Sequence, residues 1–594
     1  STLNHPAVHQ EGIELEARFG EYHGKRFING IKQSQFFDIL NQFQSSTYIV
    51  AIEQEILKNT KNRNGDMIYE QLYNVETPKG EYILRMSYNN PSEIFFMLKK
   101  RLRNVELYDY FTRWSVSKEI RIDKQNSYGI QLDEILREEN MYQQRTKKRW
   151  SFKLKPGMKK QNVPDYLKAF QPFRIDFTIM TIQNERPIYQ IEIELLQEYK
   201  SVVDGNAIWN GIIQMLMYIQ NGNFVYTRQL KHGIIRDYNK YFHEEIKQLQ
   251  KERNFNPNVR LYNMLIKPVN VKKSFLDDPS NYAITDKADG SRRFLYISPK
   301  GIFMLFPPDR IEWMYSYGYN PRNPMMLNVQ DKNLGIQNIM NTIFDGEYVT
   351  MDDGKKIFLA FDCMIVNNVD IRVSHTFHER YKYMEKILKN INIPFLKLKH
   401  FSFPYENNFY ERCNQIWKSI PDKNYQNDGL IFNHVNEHFD FSSTVYKWKP
   451  IEMMTIDFYM KPTDKDNTYQ IMVKNDKTNK LIPFQGDKSH PTSSEYTVDA
   501  STKAFIEPGQ VNEFGWNFKT SSFKFLRHRP DRQEPNYIGV ALSVWKDIHN
   551  PIHKSTILGE DLVPMRRYHN RIKRRMISTL EPNSYVIDIG AGRG

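Results

Sequence analysis

Lys287 is the residue in this sequence whose surroundings most clearly indicate covalent chemistry. It belongs to the hexapeptide KADGSR, which follows the apolar, strand-like segment 282–285. A lysine amine can attack a phosphoanhydride when it is held unprotonated beside the phosphorus atom, as burial at a strand end next to bound phosphates allows. Gly290 permits close approach of a nucleotide, Arg292 offers several donors to a sugar or phosphate, and Asp289 can hold the lysine or a metal ion. The hexapeptide therefore predicts a site of covalent nucleotidyl transfer, with a charged turn after a strand as the alternative.

The region after this hexapeptide supplies the carboxylates and cations that a metal and phosphate site requires. Lys447 and Lys449 are two residues apart in a strand-like segment, so both point to one face. Each of these residues alone is an ordinary turn aspartate or solvated cation, but together they predict a single site. In chain order the set is Asp345, Gly346 and Glu347, then Asp362, then Asp428 and Gly429, then Lys447 and Lys449, and finally Arg529, Asp531 and Arg532.

A second set of charged residues lies in strand-like segments of the N-terminal region. Two segments each carry a Glu-x-Glu pair on one face, namely Glu14 with Glu16 and Glu192 with Glu194. Four carboxylates supply enough oxygen to hold Mg²⁺ or Mn²⁺ for phosphate chemistry. Cations alternate in the strands between them, at Arg145, Lys147, Arg149 and Arg174. If the sheet turns these groups inward, it encloses a metal-bound polyphosphate; the alternative is an antiparallel sheet with its polar face in water.

Length and composition limit the classes of protein to consider. The chain has 594 residues, which predicts roughly three or four domains. Lys and Arg exceed Asp and Glu by 83 − 69 = 14, which favours polyanionic partners, with a merely solvated basic surface as the alternative. Two cysteines, Cys363 and Cys413, exclude a disulfide scaffold and a cysteine-based zinc site. Without a membrane-length apolar run or a signal-like start, we expect a soluble intracellular protein in a reducing compartment.

The pattern of apolar residues predicts a multidomain α+β chain. Short alternating strands dominate from residue 13 to about 224, with two helices at 36–43 and 208–219, the second ending at Asn221-Gly222. A charged helix and polar stretch at 244–258 mark a boundary. Strands and helices then mix up to residue 450, and five or so short strands at 454–536 suit a small barrel. A helical connector leads to a strand and the sequence GAGRG at the end of the chain. This is how a nucleotide-binding α/β domain begins, and we expect its remainder to lie outside this chain.

The motifs from about residue 266 to 532 resemble those of the covalent nucleotidyltransferase superfamily, which contains mRNA guanylyltransferases and polynucleotide ligases. The shared order is KxDGxR, DGE, an aspartate on a strand, DG, KxK and RxDK, with Arg532 in place of the last lysine. The resemblance implies that Lys287 forms a lysyl-N-phosphate bond to the nucleotide and that Asp428 lies beside a divalent metal ion. The implied nucleotide contacts are Asp289, then Arg292 and Glu347 on the ribose, Lys447 and Lys449 on the α-phosphate, and Arg529, Asp531 and Arg532 from a mobile OB-fold barrel that closes over the triphosphate.

The Glu-x-Glu strands resemble those of the metal-dependent triphosphate tunnel family of RNA triphosphatases, over roughly residues 10–225. By this resemblance, Glu14, Glu16, Glu192 and Glu194 bind the metal, and one glutamate orients a water toward the γ-phosphorus. The implied triphosphate contacts are Arg145, Lys147, Arg149 and Arg174.

The order of these regions is similar to that of multifunctional mRNA capping enzymes of large nucleocytoplasmic DNA viruses, of the poxvirus and African swine fever virus type. The resemblance implies a triphosphatase domain at 1–240, a nucleotidyltransferase domain at 255–452, an OB-fold domain at 453–545 and the start of a Rossmann-like methyltransferase at 560–594. It implies removal of the γ-phosphate from RNA and transfer of GMP from GTP through lysyl-GMP to the diphosphate end.

The same resemblance implies substrates, cofactors and surroundings. These are 5′-triphosphate RNA, GTP, Mg²⁺ or Mn²⁺, S-adenosylmethionine only for the complete protein, no membrane, and a cytoplasmic location in a viral factory or virion. A second subunit for methylation, or the transcription machinery, is left open as a partner. Two alternatives remain at this point: an ATP-dependent polynucleotide ligase, since the lysine motif alone does not separate GTP from ATP, and a nonenzymatic RNA-binding module.

Overall fold

The structure is a computed structural model. It describes residues 12–51, 66–77, 80–88, 94–122, 132–137, 141–156, 163–182, 187–222, 224–252, 255–315, 339–391, 393–440, 443–498, 506, 509–529, 532 and 534–561. Within these ranges, no helix is both long and apolar enough to cross a membrane.

The N-terminal region forms a closed antiparallel barrel. Its sheet has ten strands, of which β2 pairs only with β1 and β3 only with β8, while the others form a ring in the order β1-β10-β9-β8-β4-β5-β6-β7 that closes because β7 also pairs with β1. The strands are β1 (Ile13–His23), β2 (Arg26–Asn29), β3 (Ile49–Ala51), β4 (Asp66–Thr77), β5 (Gly80–Tyr88), β6 (Ile94–Leu107), β7 (Thr112–Ile122), β8 (Met141–Leu154), β9 (Phe173–Ile182) and β10 (Ile188–Leu195).

The alternation of side chains in these strands determines what lies inside the barrel. In β1, Leu15, Ala17 and Phe19 are buried in an outer core, whereas the residues between them point to the interior. Two helices cover this outer core, α1 (Gln33–Ser45) and α4 (Gly205–Gln220). Both are the helices predicted from apolar spacing, and α4 ends as expected at Asn221, which adopts the left-handed conformation. Two short helices, α2 (Leu132–Ile135) and α3 (Asp165–Lys168), lie between the strands in sequence.

Two further helices, α5 (Arg228–Asn239) and α6 (His243–Glu252), pack on the central region, and α5 also contacts the barrel, where Lys231 lies over the Phe111 ring. Ile234, Tyr238 and Ile246 share a core with Phe294 and Phe303 of the central sheet. The predicted charged helix at 244–258 corresponds to α6. Through this packing, the segment around residue 240 shares a core with the central region that follows it. Two separate cores therefore do not meet at this position.

The central region consists of two sheets with a cleft between them. One has four strands in the order β11-β21-β20-β12, and the other has seven, in the order β15-β14-β13-β16-β17-β18 with β19 beside β17. The strands are β11 (Val269–Asn270), β12 (Tyr282–Ala288), β13 (Ser291–Ser298), β14 (Gly301–Phe306), β15 (Arg310–Tyr315), β16 (Thr342–Thr350), β17 (Lys356–Val366), β18 (Val369–Asp370), β19 (Leu396–Leu398), β20 (Asn427–His434) and β21 (Tyr446–Trp448). Helix α7 (Phe377–Lys389) packs on the larger sheet and α8 (Phe409–Ser419) on the smaller.

The third region is a sheet of six strands. Its order is β24-β23-β22-β26-β27, with β25 also beside β23. The strands are β22 (Ile456–Pro462), β23 (Thr468–Lys474), β24 (Leu481–Pro483), β25 (Glu495–Thr497), β26 (Val511–Asn517) and β27 (Ser522–His528). Helix α9 (Ile538–His549) buries Trp545 against this sheet, whereas α10 (Lys554–Ile557) returns to the four-stranded sheet, where Trp448 Nε1 donates to the Ile552 carbonyl at 2.8 Å.

The predicted α+β class, rich in strands, is confirmed. The described residues end at 561, and the predicted methyltransferase start lies outside them.

Candidate active sites

The strand β12 carries Lys287 into the cleft between the two central sheets. Its Nζ donates a hydrogen bond to Asp428 Oδ1 at 2.7 Å, and Lys449 Nζ contacts the other oxygen of the same carboxylate. Asp428 reaches this position because β20 runs antiparallel beside β12, with Ala288 opposite Asn427. Lys287, Asp428 and Lys449 were predicted to share a site. The structure brings them together although up to 162 positions separate them in the sequence.

The cleft is a cavity of about 270 Å³ between the sheets. Besides Lys287, the predicted charged residues that line it are Asp289, Arg292, Glu347, Asp362 and Lys447, whereas Asp428 and Lys449 lie outside the lining. Burial lowers the pKa of Lys447, and the neighbouring ammonium groups of Lys449 and Lys287 lower it further. An anionic ligand would relieve this repulsion among cations, so the cleft is suited to phosphate groups.

Arg292 is fixed by a carboxylate to which the sequence motif gave no role. Its Nε donates to Asp345 Oδ1 at 3.0 Å and its Nη2 to Oδ2 at 2.6 Å, and Asp345 is fully buried. This two-point contact sets the plane of the guanidinium group. Asp345 is the first residue of the DGE motif, so the signal was present in the sequence, but its partner depends on the pairing of β13 with β16.

Glu347, the last residue of that motif, has an unusual protonation equilibrium. Burial raises the pKa of its carboxyl group to about 7, against the opposing influence of Arg292 and Lys287. A protonated or hydrogen-bonded carboxyl at this place can accept from or donate to a sugar hydroxyl. Its position in the cleft agrees with the predicted ribose contact, which remains a prediction.

Two other carboxylates of the central region have structural partners. Asp362, predicted to lie on a strand near the site, does lie on β17, where Arg380 donates to its two oxygens at 2.8 and 2.9 Å and so ties β17 to α7. Asp286, immediately before Lys287, is buried and accepts from Lys399 Nζ at 2.8 Å and from the Tyr425 hydroxyl at 3.2 Å. The sequence gave no indication of this second network.

The predicted residues of the third region lie away from the lining of the cleft. Arg529 Nη1 is 3.3 Å from Asp457 Oδ1, and Arg532 Nη1 is 2.7 Å from Asp457 Oδ2. Both guanidinium groups are thus held on the six-stranded sheet. Asp531 lies outside the described residues, and the role of this motif at the nucleotide stays a prediction.

The barrel encloses the second candidate site, a tunnel of about 330 Å³. All eight residues predicted for this region line it: Glu14, Glu16, Arg145, Lys147, Arg149, Arg174, Glu192 and Glu194. Arg18 and Asp176, which share strand faces with Glu16 and Arg174, line it as well. The sequence did not indicate other charged residues on the intervening strands. These are Glu70, which binds Arg145 and Lys147, and Arg85, Lys99, Arg101 and Glu119.

Ion pairs connect the two Glu-x-Glu strands. Arg18 lies 2.5 Å from Glu16 and 3.0 Å from Glu192, and Arg174 lies 2.5 Å from Glu194. On the opposite wall, Glu70 accepts from Arg145 at 2.6 Å and from Lys147 at 3.0 Å. The antiparallel pairing of β1 with β10, which sets Glu16 opposite Glu194, produces this arrangement.

Crowding of carboxylates changes their protonation. Burial raises the pKa of Glu16 to about 7, with Glu14 and Glu192 adding to the effect against Arg18. Burial likewise raises the pKa of Glu194 to about 8, to which Glu14 and Asp176 contribute. Burial also lowers the pKa of Lys147 to about 7. Such shifts are typical of functional sites in which a bound ion completes the charge balance.

The donor set of the tunnel fits a hard divalent cation, because Glu14, Glu16, Glu192 and Glu194 offer only carboxylate oxygens. In the arrangement described, these oxygens contact cationic side chains, and no group of three or more His, Cys, Asp or Glu residues among the described ones is arranged to hold a metal ion. A metal would therefore replace some of these ion pairs. The same holds for Asp428 in the cleft. Its two carboxylate oxygens contact Lys287 and Lys449, and a metal ion bound there would replace some of these contacts.

Comparison with known proteins relates the central region to a family. Residues 266–451 match the family model described as mRNA capping enzyme, catalytic domain. That range begins before the Lys287 hexapeptide and ends after Lys449, so it contains the whole lysine cleft.

Individual relatives extend over more of the chain. A probable mRNA-capping enzyme of Acanthamoeba polyphaga mimivirus is 23% identical over 560 residues, covering 71% of this chain and 45% of the relative. The mRNA-capping enzyme subunit alpha of Schizosaccharomyces pombe is 25% identical over 342 residues, covering 52% of this chain and 81% of the relative. The resemblance to mRNA capping enzymes is confirmed by these matches. This chain spans less than half the length of the mimivirus relative.

A solved structure of the mimivirus capping enzyme triphosphatase also aligns with this protein. It covers 36% of this chain and 92% of its own, at 12% identity and a TM-score of 0.24. At that TM-score the likeness assigns neither fold nor function.

Proposed function

We propose that this protein performs two consecutive steps of mRNA 5′ capping, hydrolysis of the RNA γ-phosphate in the tunnel and transfer of GMP in the cleft. The observation that carries the proposal is the contact of Lys287 with Asp428 inside a family-matched cleft, in a chain that also contains a closed barrel lined by charged residues. A lysine nucleophile and a polyphosphate tunnel on one chain suit successive reactions on the same RNA end.

In the cleft, the Nζ of Lys287 attacks the α-phosphorus of GTP. A nitrogen–phosphorus bond forms, the bond from the α-phosphorus to the bridging oxygen breaks, and pyrophosphate leaves with the electron pair. Asp428 accepts a hydrogen bond from Lys287 and is positioned to take the proton that the amine loses. The β-phosphate oxygen of diphosphate RNA then attacks the same phosphorus, and the lysine leaves and regains a proton.

Other residues of the cleft bind and orient the nucleotide. Lys447 and Lys449 bind the α-phosphate, while Arg292, held by Asp345, and Glu347 bind the ribose. We propose that the six-stranded sheet is the OB-fold domain and that Arg529, Asp531 and Arg532 contact the leaving pyrophosphate after this domain closes on the cleft. Closure requires exchange of the Asp457 contacts of Arg529 and Arg532 for phosphate contacts.

In the tunnel, cations bind the triphosphate along its length. Among the described residues, the lining contains eight Lys and Arg residues and five Asp and Glu residues: Arg18, Arg85, Lys99, Arg101, Arg145, Lys147, Arg149 and Arg174 against Glu14, Glu16, Asp176, Glu192 and Glu194. With Glu70 and Glu119, which pair with cations of the lining, the tunnel still carries a small positive excess suited to a polyanion. Mg²⁺ or Mn²⁺ bound by the Glu-x-Glu pairs would neutralise charge on the γ-phosphate. Glu16 and Glu194, whose pKa values are raised, are the candidates for orienting and deprotonating the attacking water.

We further propose that the segment after residue 560 begins the methyltransferase, that 5′-triphosphate RNA is the substrate of the tunnel and its diphosphate product that of the cleft, and that the protein acts in the cytoplasm. The apolar, strand-like sequence before the GAGRG motif and the motif itself support the first of these proposals. The excess of 14 positive charges supports the second, because it favours contact with phosphates without reading of bases.

The two activities are separable by mutation. Lys287→Ala is expected to abolish formation of the nucleotide adduct while γ-phosphate release from triphosphate RNA continues at the parent rate. Glu192→Ala is expected to do the reverse, with a loss of at least about 100-fold in phosphate release. Both are measured on the same preparations with label in the α- or the γ-phosphate. If each variant loses both activities, or Glu192→Ala keeps phosphate release, the assignment of two independent sites is wrong.

A further inference from the structure

Four apolar residues line the described part of the tunnel, and three of them lie on the neighbouring strands β4, β5 and β8. The four are Leu72, Ile83, Tyr142 and Met180, while the remaining lining is charged or polar. Two of them expose unusual area for their type, Ile83 at 39% and Tyr142 at 48%. Exposed apolar side chains at the opening of a charged tunnel require an explanation, since phosphate binding alone does not need them.

The strand register places these residues toward one end of the barrel. Leu72 is two residues after Glu70 on β4, and Ile83 is two residues before Arg85 on the antiparallel β5. Arg101 is two residues after Lys99 on β6, which is antiparallel to β5. Neighbouring strands run in opposite directions. Leu72, Ile83 and Arg101 are therefore all displaced toward the same end of the barrel, relative to Glu70, Arg85 and Lys99. We call this set, with Tyr142, the tunnel rim.

Two glutamates of the Glu-x-Glu pairs, Glu14 and Glu194, are displaced the opposite way along their strands. Glu14 is two residues before Glu16 on β1, and Glu194 is two residues after Glu192 on the antiparallel β10. Because β1 and β6 both run antiparallel to β7, they are parallel to each other, so the direction from Glu16 to Glu14 is opposite to that from Lys99 to Arg101. Lys99 contacts Glu14 across the tunnel, so Arg101 lies beyond Lys99 on the side away from Glu14. A triphosphate whose γ-phosphate lies at Glu14 and Glu194 would therefore extend past Lys99 toward the rim.

Tyr142 of β8 and Arg101 of β6 both line this opening. The guanidinium groups of Arg145 and Arg101 both act on the Tyr142 hydroxyl, whose pKa burial raises. Within the described part of the chain, Arg101 has no ion-pair or hydrogen-bond partner, unlike the other tunnel arginines Arg18, Arg85 and Arg174. A register shift at Arg101–Arg103 interrupts the pairing of β6 with β7, as is common where a strand redirects a side chain.

We propose that the tunnel rim is a subsite for the 5′ nucleoside of the triphosphate substrate, with Tyr142 stacking on the base and Arg101 binding the phosphodiester that follows it. Tyrosine rings accept any base by stacking, and arginine binds backbone phosphate without regard to sequence, so the subsite favours RNA ends of any first nucleotide. The inference rests on the proposed hydrolysis of triphosphates in the tunnel.

Three substrates test the rim in the full chain: 5′-triphosphate RNA, free ATP and inorganic tripolyphosphate, which has no nucleoside. Tyr142→Ala is expected to lower kcat/KM for RNA and ATP about tenfold and to leave tripolyphosphate unchanged, whereas Tyr142→Phe retains the parent values. Arg101→Ala is expected to lower kcat/KM for RNA alone and to weaken its dependence on salt. Tyr69→Ala, which removes a half-exposed tyrosine from the outer surface of β4, is the matched control and is expected to change none of the three.

Other outcomes have distinct meanings. An equal loss on all three substrates in Tyr142→Ala, or no loss on any, contradicts the nucleoside subsite while leaving hydrolysis in the tunnel intact. Failure of the parent protein to release phosphate from every substrate contradicts the proposed triphosphatase itself.

Discussion

At the scale of single residues, the sharing of Asp428 by Lys287 and Lys449 determines the charge of the cleft. Three lysines, including Lys447, face one carboxylate at this position, so the part of the cleft around Asp428 has a local positive excess. A triphosphate neutralises it, and Asp428 then has Lys287 as its partner and proton donor. The same residue thus has a role before and during the reaction, which explains why its replacement should affect both nucleotide binding and adduct formation.

Glu347 offers a residue-scale prediction that does not depend on catalysis. Its pKa of about 7 lies above the ordinary value of 4.5, so between these two pH values the folded protein holds a proton that the unfolded chain releases. The stability contribution of Glu347 is present below about pH 4.5 and is lost as the pH rises through 7. We expect Glu347→Gln to be more stable than the parent at pH 8, with the difference shrinking toward pH 5, while adduct formation is reduced.

Thermal unfolding at both pH values measures this effect. Asp353→Asn, which changes a fully exposed carboxylate, serves as the control and should show no such pH-dependent gain. A Glu347→Gln variant that is less stable than the parent at pH 8 would contradict the assigned environment.

At the scale of elements, the close approach of β20 and β21 positions the reactive groups. A Cβ atom on Gly429 would lie 2.0 Å from the Trp448 carbonyl oxygen, and Gly429 has a φ of +156°. Glycine is thus required where Asp428 and Lys449 come from adjacent strands, because any side chain would separate those strands.

We therefore expect Gly429→Ala to reduce adduct formation about 100-fold by moving Asp428 and Lys449 relative to Lys287. The rate of labelling by radioactive GTP measures the loss. Gly205→Ala is the matched control, because a Cβ at this first residue of α4 meets no atom within 4 Å. Parent-like labelling in Gly429→Ala would show that the strand spacing is not what positions the site.

The sequence predicted the local part of this arrangement and not the distant part. Residues two apart on a strand share a face whatever the fold, so the pairs Glu14 with Glu16 and Lys447 with Lys449 were recognisable in advance. Partners across strands depend on register, which the sequence does not state, and the contacts of Arg292 with Asp345 and of Lys147 with Glu70 were missed for that reason. The packing of α5 and α6 on the central sheet was missed because an amphipathic helix does not specify its partner.

At the scale of the whole molecule, a buried carboxylate links the barrel to the central region. Glu312 of β15 is fully buried and accepts from Arg293 at 3.0 Å, from Arg310 at 2.6 Å and from Asn221 Nδ2 at 2.9 Å. Asn221 caps α4 of the barrel, and Arg293 follows Arg292 on the strand that lines the cleft. The two candidate sites are therefore held by one continuous set of contacts.

Glu312→Gln is expected to lower the free energy of unfolding by about 3–5 kcal/mol, because two largely buried guanidinium groups lose their counter-charge. Both activities should then be lost at the same, lower temperature, which assays after stepwise heating can measure. Asp309→Asn provides the comparison: it removes a partly exposed ion pair with Lys32 across the same boundary and should cost no more than about 1 kcal/mol. Loss of only one activity in Glu312→Gln would contradict a shared joint.

The central claim is that Lys287 carries guanylate between GTP and RNA. Incubation of the protein with α-labelled GTP or α-labelled ATP, followed by denaturation and identification of the labelled peptide, tests it most directly. We expect covalent label from GTP on the peptide containing Lys287, none in Lys287→Ala, and passage of the label to diphosphate-ended RNA. Covalent labelling from ATP alone, or an adduct on another residue, would contradict it.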